Sequence, residues 1–197
     1  MNKIKVLIEG YARENAEGGW DASSSTVLIE SAGKKVLVDP GANEKLLLSE
    51  LKEEGLGVKD IDIVFMTHYH PDHFLNIRLF PDHAIYDGDT IYESDKETMY
   101  EGKIPGTEIE IISTPGHAHE QVSLLVDVGG EKYVVAEDVF WWIDGEQKTD
   151  TVEELMDLTD PFVKDPFELK SSREKVLEVA DWIIPGHGKM FRNPARN

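Results

Sequence analysis

Residues 66 to 74 read MTHYHPDHF, which places His68, His70, Asp72 and His73 within six positions of a chain that has seven histidines in all. In an extended segment, residues two apart return to the same side, so His68 and His70 can face one point. Asp72 and His73 are adjacent and would point apart in extended chain, while a turn at Pro71 could aim both at a second point. Imidazole nitrogen and carboxylate oxygen are the ligand types that divalent metals accept when thiolate is missing. This chain has no cysteine, so a metal must sit on nitrogen and oxygen alone.

Three further stretches carry the same residue types. STPGHAH supplies His117 and His119, VVAEDVF supplies Asp138, and IIPGHGKMF supplies His187. Five histidines (68, 70, 73, 117 and 187) with Asp72 and Asp138 exceed the needs of one tetrahedral ion. Two ions sharing a carboxylate fit that count.

Each ligand-type side chain follows an apolar run that reads as a strand. IDIVFMTH (61–68) leads into the histidine cluster, TEIEIISTPGH (107–117) into His117, KYVVAEDVF (132–140) into Asp138, and WIIP (182–185) into His187. Rigid strand ends can hold ligands to the tolerance that a metal requires. The remaining strand-like runs are 4–10, 25–31, 34–41, 83–89 and 121–130, with a hairpin at Gly129-Gly130. Helices are expected at 43–54 with Asn43 as N-cap, at 149–158 with Thr151 and Glu154 as a capping box, and at 171–181. Strands interleave with helices, which predicts sheets covered by helices in one domain spanning 1–197.

Composition is that of a globular protein, with 40% hydrophobic and 30% charged residues. The formal net charge of −19 repels polyanions, so nucleic acid and anionic membranes are not the expected partners. No apolar run approaches the roughly 20 residues that cross a bilayer. The opening MNKIKVLIEG has no signal-peptide pattern, so the expected location is cytoplasmic.

The motifs in combination resemble the metallo-β-lactamase superfamily, whose signature is His-x-His-x-Asp-His followed by separate His, Asp and His. THYHPDH (67–73), TPGHA (114–118), AEDVF (136–140) and IIPGHG (183–188) match in order, and VLVDPG (36–41) resembles the family's strand ending in Asp-x-Gly. The likeness spans nearly the whole chain and is greatest to small members, the glyoxalase II-like hydrolases and metallo-β-lactamase domain-containing proteins among them. It implies an αββα sandwich of two mixed sheets flanked by helices, with a metal site at one edge. It also implies that His68, His70 and His117 hold one metal, Asp72, His73 and His187 a second, and that Asp138 bridges them. Asp39 matches the position that hydrogen-bonds a ligand histidine from behind.

By the same resemblance the metals are two zinc ions, with iron or manganese as substitutes, and the chain is a hydrolase of a small ester, thioester or lactone. Asp72 would orient the attacking water and accept its proton. His119 lies outside the ligand set, either as a surface residue or as a substrate contact and proton donor to the leaving group. The alternatives are a mononuclear-iron persulfide dioxygenase and a phosphodiesterase or nuclease. The family has glycine before the bridging aspartate where this chain has Glu137, expected to face solvent. Over the site should lie the polar segment 10–25 with Trp20, the segment around Phe140, Trp141 and Trp142, and 159–170. Trp141 and Trp142 are expected in the core rather than in a pocket.

Overall fold

The computed structural model describes residues 1–196. The chain runs β1 (Lys3–Ile8), β2 (Tyr11–Glu14), β3 (Trp20–Ser23), β4 (Thr26–Ser31), β5 (Lys34–Val38), α1 (Glu44–Glu53), β6 (Ile63–Phe65), α2 (Pro71–Phe74), β7 (Ile85–Tyr86), β8 (Thr90–Glu93) and β9 (Lys96–Met99). The second half continues with β10 (Glu110–Ser113), β11 (Val122–Val128), β12 (Glu131–Trp141), α3 (Val152–Met156), α4 (Pro166–Val179), β13 (Trp182–His187) and β14 (Phe191–Arg192).

Two mixed sheets form the interior. The first is ordered β1-β4-β5-β6-β7-β8-β9, with β5, β6 and β7 parallel to one another, and the second is β10-β11-β12-β13-β14, with β12 and β13 parallel. Alternation along the strands builds the layers. Val27 and Ile29 of β4 and Val36 and Val38 of β5 meet Val122, Leu124 and Val126 of β11 and Val135 of β12 between the sheets. The intervening Leu28 and Leu37 turn to the opposite face, where Leu47 and Leu51 of α1 cover them. Val134 and Ala136 of β12 likewise turn outward onto Leu169, Val176 and Leu177 of α4. The expected αββα sandwich of two mixed sheets flanked by helices is what the chain forms.

Several boundaries differ from those read in the sequence. Residues 10–25 hold a two-stranded hairpin, β2 with β3, closed by Asn15, whose side chain accepts from the backbone N–H groups of Glu17 and Gly19. The expected strand 83–89 shrinks to Ile85–Tyr86, and a hairpin of β8 and β9 follows that was not foreseen, its β9 exposed throughout. The third expected helix begins five residues early, at Pro166, because Asp165 caps it by accepting from the N–H groups of Phe167 and Glu168. Asn43 and the Thr151–Glu154 box cap α1 and α3 as expected, although α3 is confined to Val152–Met156.

Candidate metal centre

The ligand run leaves β6 at Phe65, and His70 becomes the N-cap of α2 with Pro71 in its first turn. That single helical turn aims Asp72 and His73 at one point. His117 follows β10 after Thr114-Pro115-Gly116. A Cβ at Gly116, whose φ is +132°, would overlap the backbone of Leu169, so only glycine lets α4 pack there. His187 is the last residue of β13, and a Cβ at the preceding Gly186 would overlap Asp138 Oδ1. Asp138 sits within β12, not at its end, at a register shift against β13 between Val135 and Trp141. Such bulges re-aim a side chain beside a site.

Five of the seven expected ligands are buried, His70 and Asp72 are partly buried, and all converge. His68, His70, His117 and Asp138 form one group of mutually close ligand atoms, and Asp72, His73 and His187 form another. Within the first, His70 Nδ1 lies 3.2 Å from His68 Nε2 and 2.8 Å from His117 Nε2. Asp138 joins the two. Its Oδ2 is 3.1 Å from His117 Nε2 and 3.4 Å from His73 Nε2, and its Oδ1 is 3.7 Å from His187 Nε2. In the second group His187 Nε2 is 3.1 Å from Asp72 Oδ2.

The outward ring nitrogens decide which atoms face inward. His73 Nδ1 donates to Asp39 Oδ2 at 2.8 Å, as the sequence led us to expect for Asp39. The same carboxylate accepts from the Thr67 backbone N–H at 2.8 Å and from its hydroxyl at 2.6 Å. That leaves Thr67 Oγ1 to accept from His68 Nδ1 at 3.2 Å. His187 Nδ1 donates to the Tyr11 carbonyl at 3.0 Å and His117 Nδ1 to Asp160 Oδ2 at 2.7 Å. With protons fixed outward, the Nε2 atoms of His68, His73, His117 and His187 are free to present lone pairs to the centre. His73 Nε2 and Asp138 Oδ1 are buried with no hydrogen-bond partner. Lone pairs gathered at such distances repel one another unless a cation lies among them, and a nitrogen and oxygen donor set of this kind suits divalent metals. The residues therefore fit the ions that the motif implies.

The titration of the bare site carries the same message. Burial depresses the imidazoles of His68 and His70, with their neighbouring histidines adding to the effect. Burial also opposes the proton on His117, yet Asp138 and Asp160 push that group up to about 9. His73 is raised against burial by Asp138 and Asp39. Protons on these two rings occupy the place of positive charge that metal would take, and metal binding must release them.

Two aspects of the surroundings depart from expectation. Glu137 does not face solvent. It is fully buried, because β12 runs between β11 and β13 with both faces of the sheet covered, and its Oε2 lies 3.6 Å from His73 Nδ1 with no hydrogen-bond partner on either oxygen. Its φ is +46°, in the left-handed region that favours glycine, which gives a backbone reason for glycine at this position in the family. Asp160 was not singled out in the sequence. Its only signal was the Asp-Pro-Phe turn in a segment expected over the site.

His119 is exposed and borders a separate cleft of about 520 Å³ with Tyr69, Asp87, Tyr92 and Glu120. It does not line the cavity over the histidines. That cavity, of about 400 Å³, reaches His70, Asp72, His117, Asp138 and His187. Trp20 and Trp141 also line it, Trp141 edge-on to the His187 ring at 5.9 Å. Trp142 lies in the core against Phe191, so the pair divides between pocket and core.

The chain belongs to the metallo-β-lactamase superfamily: a sequence profile described as the metallo-beta-lactamase superfamily matches residues 19–187. It is 33% identical over 202 residues to metallo-beta-lactamase domain-containing protein 1 of Xenopus laevis, covering 97% of this chain and 82% of that one. In fold it is similar to a Thermotoga maritima protein described as a metallo-β-lactamase, with a TM-score of 0.71 at 19% identity over 97% of this chain and 99% of that one. It also resembles AidC, a dizinc quorum-quenching lactonase, with a TM-score of 0.60 at 16% identity over 94% of this chain and 86% of that one. The chain is thus a metallo-hydrolase by family. No helix among the described residues is long and apolar enough to cross a membrane.

Proposed function

We propose that the protein is a cytoplasmic, binuclear hydrolase of a small ester, thioester or lactone, with zinc as the working metal. The observation that carries this reading is the sharing of Asp138 between the two ligand groups, with Oδ2 towards His117 and Oδ1 towards His187. His68, His70 and His117 would hold one divalent cation and Asp72, His73 and His187 a second, and such a pair would supply Lewis-acid polarisation and lower the pKa of a bound water towards neutrality.

The chain's own residues do the rest. Asp72 is the ligand carboxylate that borders the cavity with a partly exposed side chain. Burial tends to raise its carboxyl, but the His187 ring 3.1 Å away and the charge of His73 outweigh that and hold it low. It is thus an ionised acceptor for the proton of the attacking water. The water's oxygen bonds to the acyl carbon, the C–O or C–S bond to the leaving group breaks, and the proton passes from Asp72 to that leaving group. His119, outside this cavity, gains no support as the donor. AidC, with the same fold, is a dizinc lactonase, which makes a lactone a natural member of the substrate panel.

A single-iron dioxygenase would use one of the two ligand groups, and metal content distinguishes it from the binuclear hydrolase. A nuclease needs a basic groove, and no lysine or arginine among the described residues borders the cavity. The test is hydrolysis of an ester, thioester and lactone panel by zinc-loaded protein, alongside chelated protein and His117→Ala. Turnover that requires zinc and falls at least a hundredfold in the variant supports the proposal. Oxygen uptake with a persulfide, in iron-loaded protein without hydrolysis, would replace it.

A further inference from the structure

The cavity over the ligand groups has an unusual wall. Its ionisable side chains are His70, Asp72, His117, Asp138 and His187, all of them members of the two ligand groups. Around them stand carbon surfaces: Ala12, Trp20 and Ala22 from the β2–β3 hairpin, Leu75 after α2, and Trp141 with Phe162 beyond β12. Trp141 and Phe162 lie with ring centroids 5.7 Å apart, forming one aromatic side of the space. The only indole nitrogen on that side, Trp141 Nε1, is itself buried and has no partner, so it lends the cavity no exposed donor. Two cations border an adjoining groove that shares Trp20 with the cavity. There Arg13 is drawn to Asp21 and Asp144 at 4.0 and 3.6 Å, and Lys45 is exposed next to Glu44.

A charged group buried without a partner incurs a large desolvation penalty. A substrate carboxylate or phosphate lodged away from the reacting carbonyl would find no lysine or arginine here, and outside the ligand groups only the Trp20 indole N–H as a side-chain donor. The net charge of −19 adds repulsion at longer range. We infer that this cavity selects electrically neutral substrates carrying an apolar acyl or aryl group beside the reacting carbonyl, and excludes those with an anionic group there. This rests on the hydrolase reading for the reacting end, and deepens it by fixing the class of the other end.

The test uses pairs that differ in one charge. 4-Nitrophenyl pentanoate and mono-4-nitrophenyl glutarate share a leaving group and chain length, but only the second ends in a carboxylate. Zinc-loaded protein should hydrolyse the neutral ester with kcat/KM more than tenfold above the charged one. Their uncleavable amide counterparts, N-phenylpentanamide and glutaranilic acid, are titrated by calorimetry into zinc-loaded and chelated protein. The neutral amide should bind at least tenfold more tightly in both states, with a negative heat-capacity change from apolar burial. Ala22→Lys, which adds a cation to the wall, should narrow or reverse that preference.

The outcomes separate the two readings. If neither ester is cleaved but the neutral amide binds preferentially, the cavity's selectivity stands and the hydrolase proposal falls. If both esters are cleaved and the charged one is equal or better, the hydrolase stands and the selectivity is overturned. If neither amide binds, or the acid binds as well as the amide, the selectivity is likewise overturned.

Discussion

Asp39 and Asp160 hold imidazoles from the two halves of the molecule, one at the end of β5 and the other in the loop before α4. Each accepts an Nδ1 proton, and each thereby keeps an Nε2 lone pair turned inward. Partners of this kind typically change metal affinity ten- to a hundredfold. Asp160→Ala should therefore weaken zinc binding by about that factor in competition with a chromophoric chelator, while the circular dichroism of the fold is retained. Unchanged affinity would mean that Asp160 is a bystander. The candidate ligands were legible because histidines at strand ends have few other reasons to gather. Asp39 was legible from a motif, but Asp160 was not, since an aspartate before proline in a loop reads equally well as a turn. Glu137 was misread for a different reason: residue type suggests solvent, and only the covered sheet reveals burial. Burial, with Asp39 and Asp138 nearby, raises its carboxyl well above the ordinary value, with His73 acting the other way. The folded chain thus holds that proton more tightly than the unfolded one, so the contribution of Glu137 to stability is fully present below about pH 4.5 and declines as pH rises towards the folded value. In chelated protein, Glu137→Gln should remove that decline. Its melting temperature relative to wild type should be even below pH 4.5 and climb with pH above it, by about 2–4 °C per kcal/mol in a chain of this size. A constant offset across pH would contradict the assignment.

At the scale of elements, the strands that deliver ligands were the easiest to read, because apolar runs mark β6, β12 and β13. Exposed hairpins were the hardest. The edge strand β9 is exposed along its length and its partner β8 is only partly buried, so no covered face imposes a pattern on the sequence there. The β2–β3 hairpin was read as a loop for the same reason, although Trp20 within it was placed near the site. The start of α4 was missed because Asp165-Pro166 signals a turn as readily as an N-cap followed by proline in the first turn. The parallel pairing of β12 with β13 sets Asp138 against Gly186, and this close approach explains the glycine of Pro-Gly-His-Gly. Gly186→Ala should push Asp138 off the shared position. The expected result is loss of one of two bound metals, or at least a tenfold weaker second binding event by calorimetry, with the secondary structure retained. Two sites of wild-type affinity in that variant would show that Asp138 is not held by this contact.

For the whole molecule, the two sheets divide the work of assembly. The first contributes His68, His70, Asp72 and His73 from the connection after β6, and the second contributes His117, Asp138 and His187 from the ends and bulge of its strands. The ligand set therefore exists only when the sandwich closes, so metal binding and folding are linked and a chelator should lower the melting temperature. Fold class was legible from the interleaving of strands and helices together with the ordered motifs. The division of the cavity wall into ligands and bare carbon was not, since it draws on segments far apart in the chain. The most direct measurement is the number of metal atoms per chain by inductively coupled plasma mass spectrometry, on tag-free wild type and on Asp138→Ala. The shared carboxylate predicts about two zinc atoms in the wild type and fewer than two in the variant. One metal or none in a wild type resupplied with zinc, iron or manganese, or two retained without Asp138, would contradict a bridged pair.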